Sequence, residues 1–241
     1  RDALMTSSLV KNALANTKYE SAQNGKAEPV KQEPVQSQPA PKSNIDEELE
    51  KIAAQLDVCI KIIGCGGGGC NTINRCWEAN INGAQLCAIN TDAKHLLTVK
   101  APRKILIGRT ATRGLGAGAK PEMGEVAARE SDGEIREFLN GSNIVFVTAG
   151  MGGGTGTGSA HYVARIAKEQ VRALTIGVVT LPFKAEGTVR MENALDGLNK
   201  MRLICDTTIV IPNDKLLELV PKLPVDAAFK VADEVLMQTI K

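Results

Sequence analysis

Apolar and polar positions divide the chain into two unlike parts. From residue 58 onward, short apolar runs rich in β-branched residues alternate with segments whose apolar residues recur every three or four positions. The short runs are typical of buried strands and the longer segments of amphipathic helices. The predicted strands are 58–63, 85–89, 104–107, 143–148, 174–180 and 207–211, and the main predicted helices are 123–139, 189–204 and one that begins near 225. This alternation predicts an α/β fold, a parallel sheet with helices on both faces.

The part of the chain before residue 58 lacks this alternation. Residues 1–20 carry a narrow apolar stripe, which predicts a short amphipathic helix that either frays in solution or docks on a membrane or a partner. Residues 21–44 are rich in Pro, Gln and Ser and predict a disordered tether. Residues 45–57 predict a short helix that leads into a single domain at 58–241.

Composition narrows the class of protein. The 241 residues have a formal net charge of +2, and they contain no basic block of the kind that nucleic-acid-binding proteins use. No apolar run approaches the ~20 residues that span a bilayer. The six cysteines form no Cys-x-x-Cys pair, which is typical of a protein from the reducing cytoplasm. We therefore expect a cytoplasmic protein with no nucleic-acid partner, no transmembrane segment and no metal cluster.

A glycine-rich stretch, GMGGGTGTG at residues 150–158, lies between a predicted strand and a predicted helix. Glycines let backbone N–H groups approach a ligand closely and permit positive φ, and the N-terminus of a helix adds partial positive charge. The two threonines add hydroxyl donors. The stretch therefore predicts a cradle for a phosphate group.

Two further glycine segments follow other predicted strands. Residues 64–71 have the sequence GCGGGGCN, and residues 113–118 have the sequence RGLGAG. Ligands of open parallel sheets bind at the carboxyl ends of the strands. All three glycine segments follow strands in this way, so we expect them to form one site.

Two classes of ligand fit such a site. The glycine segment at 64–71 matches Gly-x-Gly-x-x-Gly, the dinucleotide-binding fingerprint. Asp92 follows the second strand, where a ribose-binding acid would lie. An NAD-dependent oxidoreductase is therefore one interpretation. The additional phosphate cradle favours a nucleoside triphosphate. The Gly-Lys-Ser/Thr sequence of a Walker-type P-loop does not occur, so backbone amides, helix N-termini and Mg²⁺ would have to balance the phosphate charge.

Several motifs together resemble FtsZ, in the tubulin/FtsZ superfamily. GGGTGTG at 152–158 is similar to the signature loop of that superfamily. The order and spacing of FtsZ recur in GCGGGGCNT at 64–72, NTD at 90–92, RGLGAG at 113–118, LPFKAEGTVR at 181–190, IPNDKL at 211–216 and AFKVADEVL at 228–236. The resemblance covers 58–241, and the long N-terminal extension is similar to the archaeal branch. It implies a Rossmann-like GTPase domain preceded by a disordered extension.

The resemblance implies GTP or GDP as the ligand, with Mg²⁺, and a role for each matching position. Two backbone loops would hold the phosphates, the first at Gly67, Gly68, Gly69, Cys70 and Asn71 and the second at Gly154, Thr155 and Gly156. The remaining assignments are Ala117 and Gly118 near the terminal phosphate, Glu186 and Arg190 at the ribose or phosphate, and Asn213, Phe229 and Asp233 at the guanine base, with Phe229 stacked on it.

Two of these assignments have simpler alternatives. Glu186 and Arg190 are four residues apart, a spacing that also suits an ion pair on a helix surface. Cys70 suits either plain packing or an oxidisable thiol of low pKa at a helix N-terminus.

The resemblance also implies self-assembly. FtsZ proteins form head-to-tail filaments of the division ring at mid-cell and hydrolyse GTP between subunits, with acidic residues supplied by an Asn-x-Asp-x-x-Asp loop of the next subunit. That pattern does not occur in the 241 residues, and their last helix is similar to the one that precedes the loop. We therefore expect no catalytic residue in this chain, nucleotide binding with poor turnover, and a second domain outside it.

Two further expectations follow from the resemblance. A structural relative of FtsZ that binds GTP without hydrolysing it is an alternative for the intact protein. Partners that anchor the protein to the membrane or act in division would bind the N-terminal extension, residues 1–44.

Overall fold

The sheet has six strands, all parallel, in a computed structural model that describes residues 58–219 and 225–240. The strands are β1 (Ile60–Cys65), β2 (Ala84–Asn90), β3 (Arg103–Leu106), β4 (Ile144–Gly150), β5 (Leu174–Leu181) and β6 (Thr207–Pro212). Their spatial order is β3-β2-β1-β4-β5-β6. The predicted parallel sheet is confirmed. The helices and the tether predicted for 1–57 lie outside the described residues.

Helices connect the strands. They are α1 (Gly66–Glu78), α2 (Ala93–Thr98), α3 (Pro121–Glu130), α4 (Asp132–Leu139), α5 (Thr155–Arg165), α6 (Thr188–Ile204), α7 (Asn213–Leu219) and α8 (Val225–Ile240). A π-helical turn, Ile166–Val171, continues α5, and a 3₁₀ turn, Lys184–Glu186, precedes α6. No helix among the described residues is long and apolar enough to cross a membrane.

Two predicted elements differ from the structure. The single helix predicted at 123–139 is wrong, because the chain leaves the helical conformation at Ser131 and forms α3 and α4 instead. The Ser131 hydroxyl accepts a hydrogen bond from the Gly108 amide (3.3 Å), so a contact distant in sequence fixes the break. The glycine segment at 64–71 is predicted to be a loop, but most of it is helical, since α1 begins at Gly66.

Apolar side chains cover both faces of the sheet. One face packs on residues of α3, α4, α5 and α6, and the other packs on α1, α2, α7 and α8. Successive residues of β1 alternate accordingly, with Ile63 and Cys65 buried on the first face and Ile62 on the second. The helices that follow the adjacent strands β1 and β4 therefore leave the sheet on opposite faces. In such a sheet this arrangement opens a crevice at the carboxyl ends of the two strands.

Helices α3 and α5 touch through their backbones. A Cβ atom added to Gly158 on α5 would overlap the Pro121 carbonyl oxygen and lie 2.7 Å from the Glu125 nitrogen. His161, only 3% exposed, reinforces the contact, because its Nε2 lies 3.3 Å from Glu125 Oε2. This close contact fixes the start of α3, and the glycine segment before it, beside the start of α5.

We expect Gly158→Ala to lower the free energy of unfolding by about 2–3 kcal/mol, because α3 must move to admit the methyl group. Urea denaturation of both proteins measures the difference. Gly133→Ala on α4 is the matched control, since an added Cβ there meets nothing within 4 Å. The control should leave stability unchanged or raise it by about 0.5 kcal/mol. Equal effects of the two substitutions would contradict the close contact.

Candidate functional site

The glycine segments at 64–71 and 150–158 meet at the carboxyl ends of β1 and β4. A Cβ atom on Gly66, whose φ is +70°, would lie 2.5 Å from the Gly156 nitrogen. One on Gly68 would lie 3.1 Å from the nitrogen of Gly150. Real Cβ atoms essentially never approach a backbone as closely as 2.5 Å, and 3.1 Å is already tighter than most such contacts, so glycine is required at Gly66 and favoured at Gly68. The structure thus brings both predicted phosphate loops to one place.

Two helices begin at this contact without a side-chain cap. The N-cap residues, Cys65 for α1 and Gly154 for α5, make no side-chain hydrogen bond to the first turn, and neither first turn carries an acidic residue. The first amides of a helix have no partner within the helix, and the helix dipole places partial positive charge there. Two uncapped N-termini that point at one volume suit an anion with several negative oxygens.

A cleft of about 480 Å³ opens beside the two helix N-termini. Most of the residues predicted for the site line it: Gly67, Gly68, Asn71, Gly154, Thr155, Gly156, Glu186, Arg190, Asn213 and Asp233. Gly150, Met151 and Gly153 also line it and belong to the cradle predicted at 150–158, whereas sequence reasoning gave no role to the lining residues Thr180, Pro182 and Ala232. Thr180 and Pro182 lie at the carboxyl end of β5, where the edge rule for parallel sheets could have found them.

Four predicted residues do not line the cleft. Gly69 faces β4, because an added Cβ would lie 2.5 Å from the Thr148 carbonyl oxygen, and the Cys70 thiol donates to the Ile89 carbonyl oxygen at 3.4 Å. Ala117 packs against the glycine segment at 150–158, because an added Cβ on Gly154 would come within 2.9 Å of Ala117 Cβ, and Gly118 follows Ala117 in the chain. The side chain of Phe229 lies outside the described residues.

Cys70 is a packing residue. Its side chain is fully buried, and burial raises the pKa of the thiol to about 12. A thiolate is therefore not populated at neutral pH. The alternative of an oxidisable thiol of low pKa is wrong.

The far wall of the cleft carries an ion pair. Arg190 Nη1 donates to Glu186 Oε2 at 2.7 Å, and Glu186 Oε1 accepts from the Phe183 amide at 2.9 Å. The simpler alternative for these residues, an i,i+4 pair, is therefore present in the structure. The pair nonetheless lines the cleft, with the Arg190 side chain 53% exposed. The arginine can turn towards an anion, and the carboxylate can accept hydrogen bonds from hydroxyl groups.

Two largely buried hydrogen-bond acceptors, on Asn213 and Asp233, line the cleft. Asn213 is 4% exposed, and its Oδ1 has no hydrogen-bond partner among the described residues. Asp233 is also largely buried, and this burial raises the pKa of its carboxyl to about 6, against the opposing influence of Arg75. Within the described part of the chain, Asn213 Oδ1 lacks a hydrogen-bond partner, and Asp233 has only the 3.8 Å ion pair with Arg75, so a ligand that donates hydrogen bonds would stabilise both acceptors.

Side-chain charge in the cleft is sparse. The charged residues of the described lining are Glu186, Arg190 and Asp233, with no lysine among them. No group of three or more His, Cys, Asp or Glu residues that could hold a metal ion occurs among the described residues. Phosphate charge would therefore be met mainly by backbone amides and by the two helix N-termini.

The fold and the cleft together define a doubly wound α/β domain whose cleft lies where the strand order reverses and is suited to an anion. Comparison with known proteins is more specific. A profile described as the tubulin/FtsZ family, GTPase domain, matches residues 59–221. The chain therefore belongs to the tubulin/FtsZ family.

Similar proteins include two named Cell division protein FtsZ 1. The one from Pyrococcus horikoshii is 57% identical over 83% of this chain and 54% of its own length, and the one from Halobacterium salinarum is 49% identical over 97% and 59%. An empty FtsZ dimer from M. jannaschii has a TM-score of 0.77 and 52% identity over 83% of this chain and 58% of its own. The chain thus spans somewhat more than half the length of these relatives.

Membership of this family argues against the oxidoreductase alternative. That interpretation assigned Asp92 to the ribose of a dinucleotide. In the structure, Asp92 is the N-cap of α2, and its carboxylate accepts a hydrogen bond from the His95 amide at 3.0 Å. The acidic residue therefore has a structural role that accounts for its position after β2.

We expect Asp233→Asn to stabilise the fold above pH 6. The folded protein holds a proton on Asp233 more tightly than the unfolded chain does, because the folded pKa is about 6. The contribution of Asp233 to stability is therefore present at low pH and is lost as pH rises from about 4 to 6. Removing the charge should raise the free energy of unfolding at pH 7.5 by about 1–3 kcal/mol.

Urea denaturation at several pH values tests this expectation. Asp196→Asn is the control, since that carboxylate forms an exposed pair with Lys200 and its side chain is 61% exposed. Such pairs contribute at most about 1 kcal/mol, so the control should change stability little. The expectation fails if Asp233→Asn and the parent chain show the same pH dependence.

Proposed function

We propose that the chain is the GTP- and GDP-binding part of a polymer-forming cell-division protein. The observation that carries the proposal is the convergence of two uncapped helix N-termini and two glycine segments on one cleft. The names of the relatives, Cell division protein FtsZ 1, and the GTPase-domain profile support this choice of nucleotide and process.

The phosphates bind to backbone amides in this proposal. The first group of amides belongs to residues 67–71 in the opening turns of α1, and the second to residues 154–156 at the start of α5. Ala117 and Gly118 contact the terminal phosphate from the segment that packs against Gly154. Mg²⁺ binds with the nucleotide through phosphate oxygens and water, as is usual for this ion.

The sugar and the base bind at the opposite wall. Glu186 accepts hydrogen bonds from the ribose hydroxyls, and Arg190 leaves its ion pair to reach ribose or phosphate. Asn213 and Asp233 recognise guanine, and Phe229 stacks on it. The Asp233 carboxylate accepts from the N1–H and the exocyclic amine, a donor pair that adenine does not offer.

The intact protein assembles head to tail and hydrolyses GTP between subunits. The acidic Asn-x-Asp-x-x-Asp pattern does not occur in these 241 residues, so the chain by itself binds nucleotide with poor turnover. A relative that binds GTP without hydrolysis is the second candidate for the intact protein. The protein acts in the cytoplasm at the mid-cell division site, and the N-terminal extension contacts membrane-anchoring or division partners.

Calorimetric titration with GTP, GDP, ATP and NAD⁺ in Mg²⁺ buffer tests the proposed ligand. We expect GTP and GDP to bind at least about tenfold more tightly than ATP. Guanine donates two hydrogen bonds to the Asp233 carboxylate, from its N1–H and its exocyclic amine, and adenine lacks this pair of donors. Asp233→Ala should weaken guanine nucleotides and leave ATP unchanged. Binding of NAD⁺ without GTP would contradict the proposal and favour a dinucleotide site.

A second test blocks the phosphate cradle without disturbing the fold. An added Cβ on Gly153 meets nothing within 4 Å, and the residue lines the cleft. Gly153→Val should therefore fold normally but project methyl groups into the space proposed for phosphate, weakening GTP and GDP alike by about tenfold or more.

Gly133→Val is the matched control for this substitution. An added Cβ there also meets nothing within 4 Å, and α4 does not line the cleft. The control should bind GTP like the parent chain in the same calorimetric assay. Unchanged binding by Gly153→Val would place the phosphates elsewhere.

A further inference from the structure

Arg75 joins two helices that contribute different parts of the cleft. It lies on α1, whose N-terminus faces the proposed phosphates, and it contacts α8, which carries Asp233. Arg75 Nε lies 3.8 Å from Asp233 Oδ2, and Arg75 Nη1 lies 3.3 Å from Glu234 Oε2. Arg75 itself does not line the described part of the cleft.

We propose that Arg75 is a positioning residue for guanine recognition, which keeps the Asp233 carboxylate ionised while leaving its oxygens free to accept from the base. The inference rests on the proposed function, because it assumes that Asp233 binds guanine. It adds a residue that the motifs did not identify, and it assigns that residue to selectivity for the base.

The two distances separate the roles of the two carboxylates. The 3.3 Å contact with Glu234 satisfies a hydrogen bond, and Glu234 is held in turn by Gln238, whose Nε2 donates to Oε1 at 3.3 Å. The 3.8 Å contact with Asp233 is longer than a hydrogen bond. Arg75 is therefore anchored to Glu234 and acts on Asp233 through its charge alone.

Asp233 needs such a neighbour because it is largely buried. The Asp233 side chain is only 17% exposed, and this burial raises the pKa of its carboxyl to about 6, while the Arg75 guanidinium lowers it. A protonated carboxyl carries a donor where guanine also presents a donor, so only the ionised form matches the base. Loss of the guanidinium would bring protonation into the neutral pH range.

Few other charges face this carboxylate. On α8 the neighbouring charges are Glu234, which is engaged by Arg75 and Gln238, and Lys230, which is exposed one turn earlier and forms no ion pair with Asp233 among the described residues. Across the cleft, Arg190 is bound to Glu186 at 2.7 Å. Helix α7 and strand β5 line the cleft with the neutral residues Asn213 and Thr180. Of the charged groups described here, Arg75 is therefore the cation placed to favour ionised Asp233.

The experiment compares the chain with Arg75→Gln, which removes the charge and keeps a hydrogen-bond donor for Glu234. The pKa of Asp233 is measured by carboxyl ¹³C NMR without nucleotide, and GTP affinity is measured by calorimetry from pH 5.5 to 8.5. We expect the Asp233 pKa to rise in the variant. GTP affinity should then fall by about fivefold at pH 6 and recover at pH 8.5.

Three further variants serve as controls. Arg75→Lys keeps the charge and should retain the pH profile of the parent chain. Arg136→Gln removes an arginine from an exposed pair with Asp132 on α4, and it should change neither measurement. Asp233→Asn removes the titrating group, so any pH dependence that remains there belongs to the nucleotide phosphates.

The outcomes distinguish this inference from the proposed function. An unchanged Asp233 pKa in Arg75→Gln, or GTP binding weakened equally at every pH, would overturn the inference and leave Arg75 a structural residue. Full guanine preference in Asp233→Asn would instead overturn the base-reading role on which the inference depends. A raised pKa together with weakening confined to low pH supports the assignment.

Discussion

The site depends on a contact between two main chains that tolerates no side chain. Strands β1 and β4 are neighbours, with Cys65 paired to Ala149 in register, and the segments that follow them touch at Gly66 and Gly156. Helices α1 and α5 then leave on opposite faces of the sheet, so the two helices diverge from a point at which their N-termini meet. Any Cβ at the contact would force the segments apart and separate the two sets of amides. The electrostatics of the cleft therefore depend on the absence of side chains at these glycines.

The cleft combines two environments of opposite preference. Uncapped helix N-termini favour a negative ligand, whereas the buried carboxylate of Asp233 is a negative group that the fold itself disfavours. The two are compatible because they lie on different helices, and because Arg75 links those helices with a positive charge. A largely buried acid whose pKa is raised lowers the stability of the fold when it is ionised, and such groups concentrate where a protein binds or reacts.

Local pattern predicted the strands, their parallel arrangement and most of the cleft residues, because apolar runs and glycine clusters are local signals. It failed where distant contacts decide the structure. The helix break at Ser131 depends on Gly108, and the early start of α1 places glycines in a helix against their intrinsic preference. Arg75 gave no signal at all, since only the packing of α1 on α8 brings it to Asp233.

The position of the glycine segment at 113–118 limits the role that its sequence motif suggests. Ala117 and Gly118 match the positions that would contact a terminal phosphate, yet Ala117 packs against Gly154 and the two residues do not line the cleft. In the proposed complex they would contact only a phosphate that extends past Gly154. The segment also has positive φ at the non-glycine residues Arg113 (53°) and Ala119 (58°), a conformation that its surroundings must hold in place. The role of Ala117 and Gly118 at a terminal phosphate therefore stays a prediction, and neither residue lines the cleft in which the rest of the nucleotide is proposed to bind.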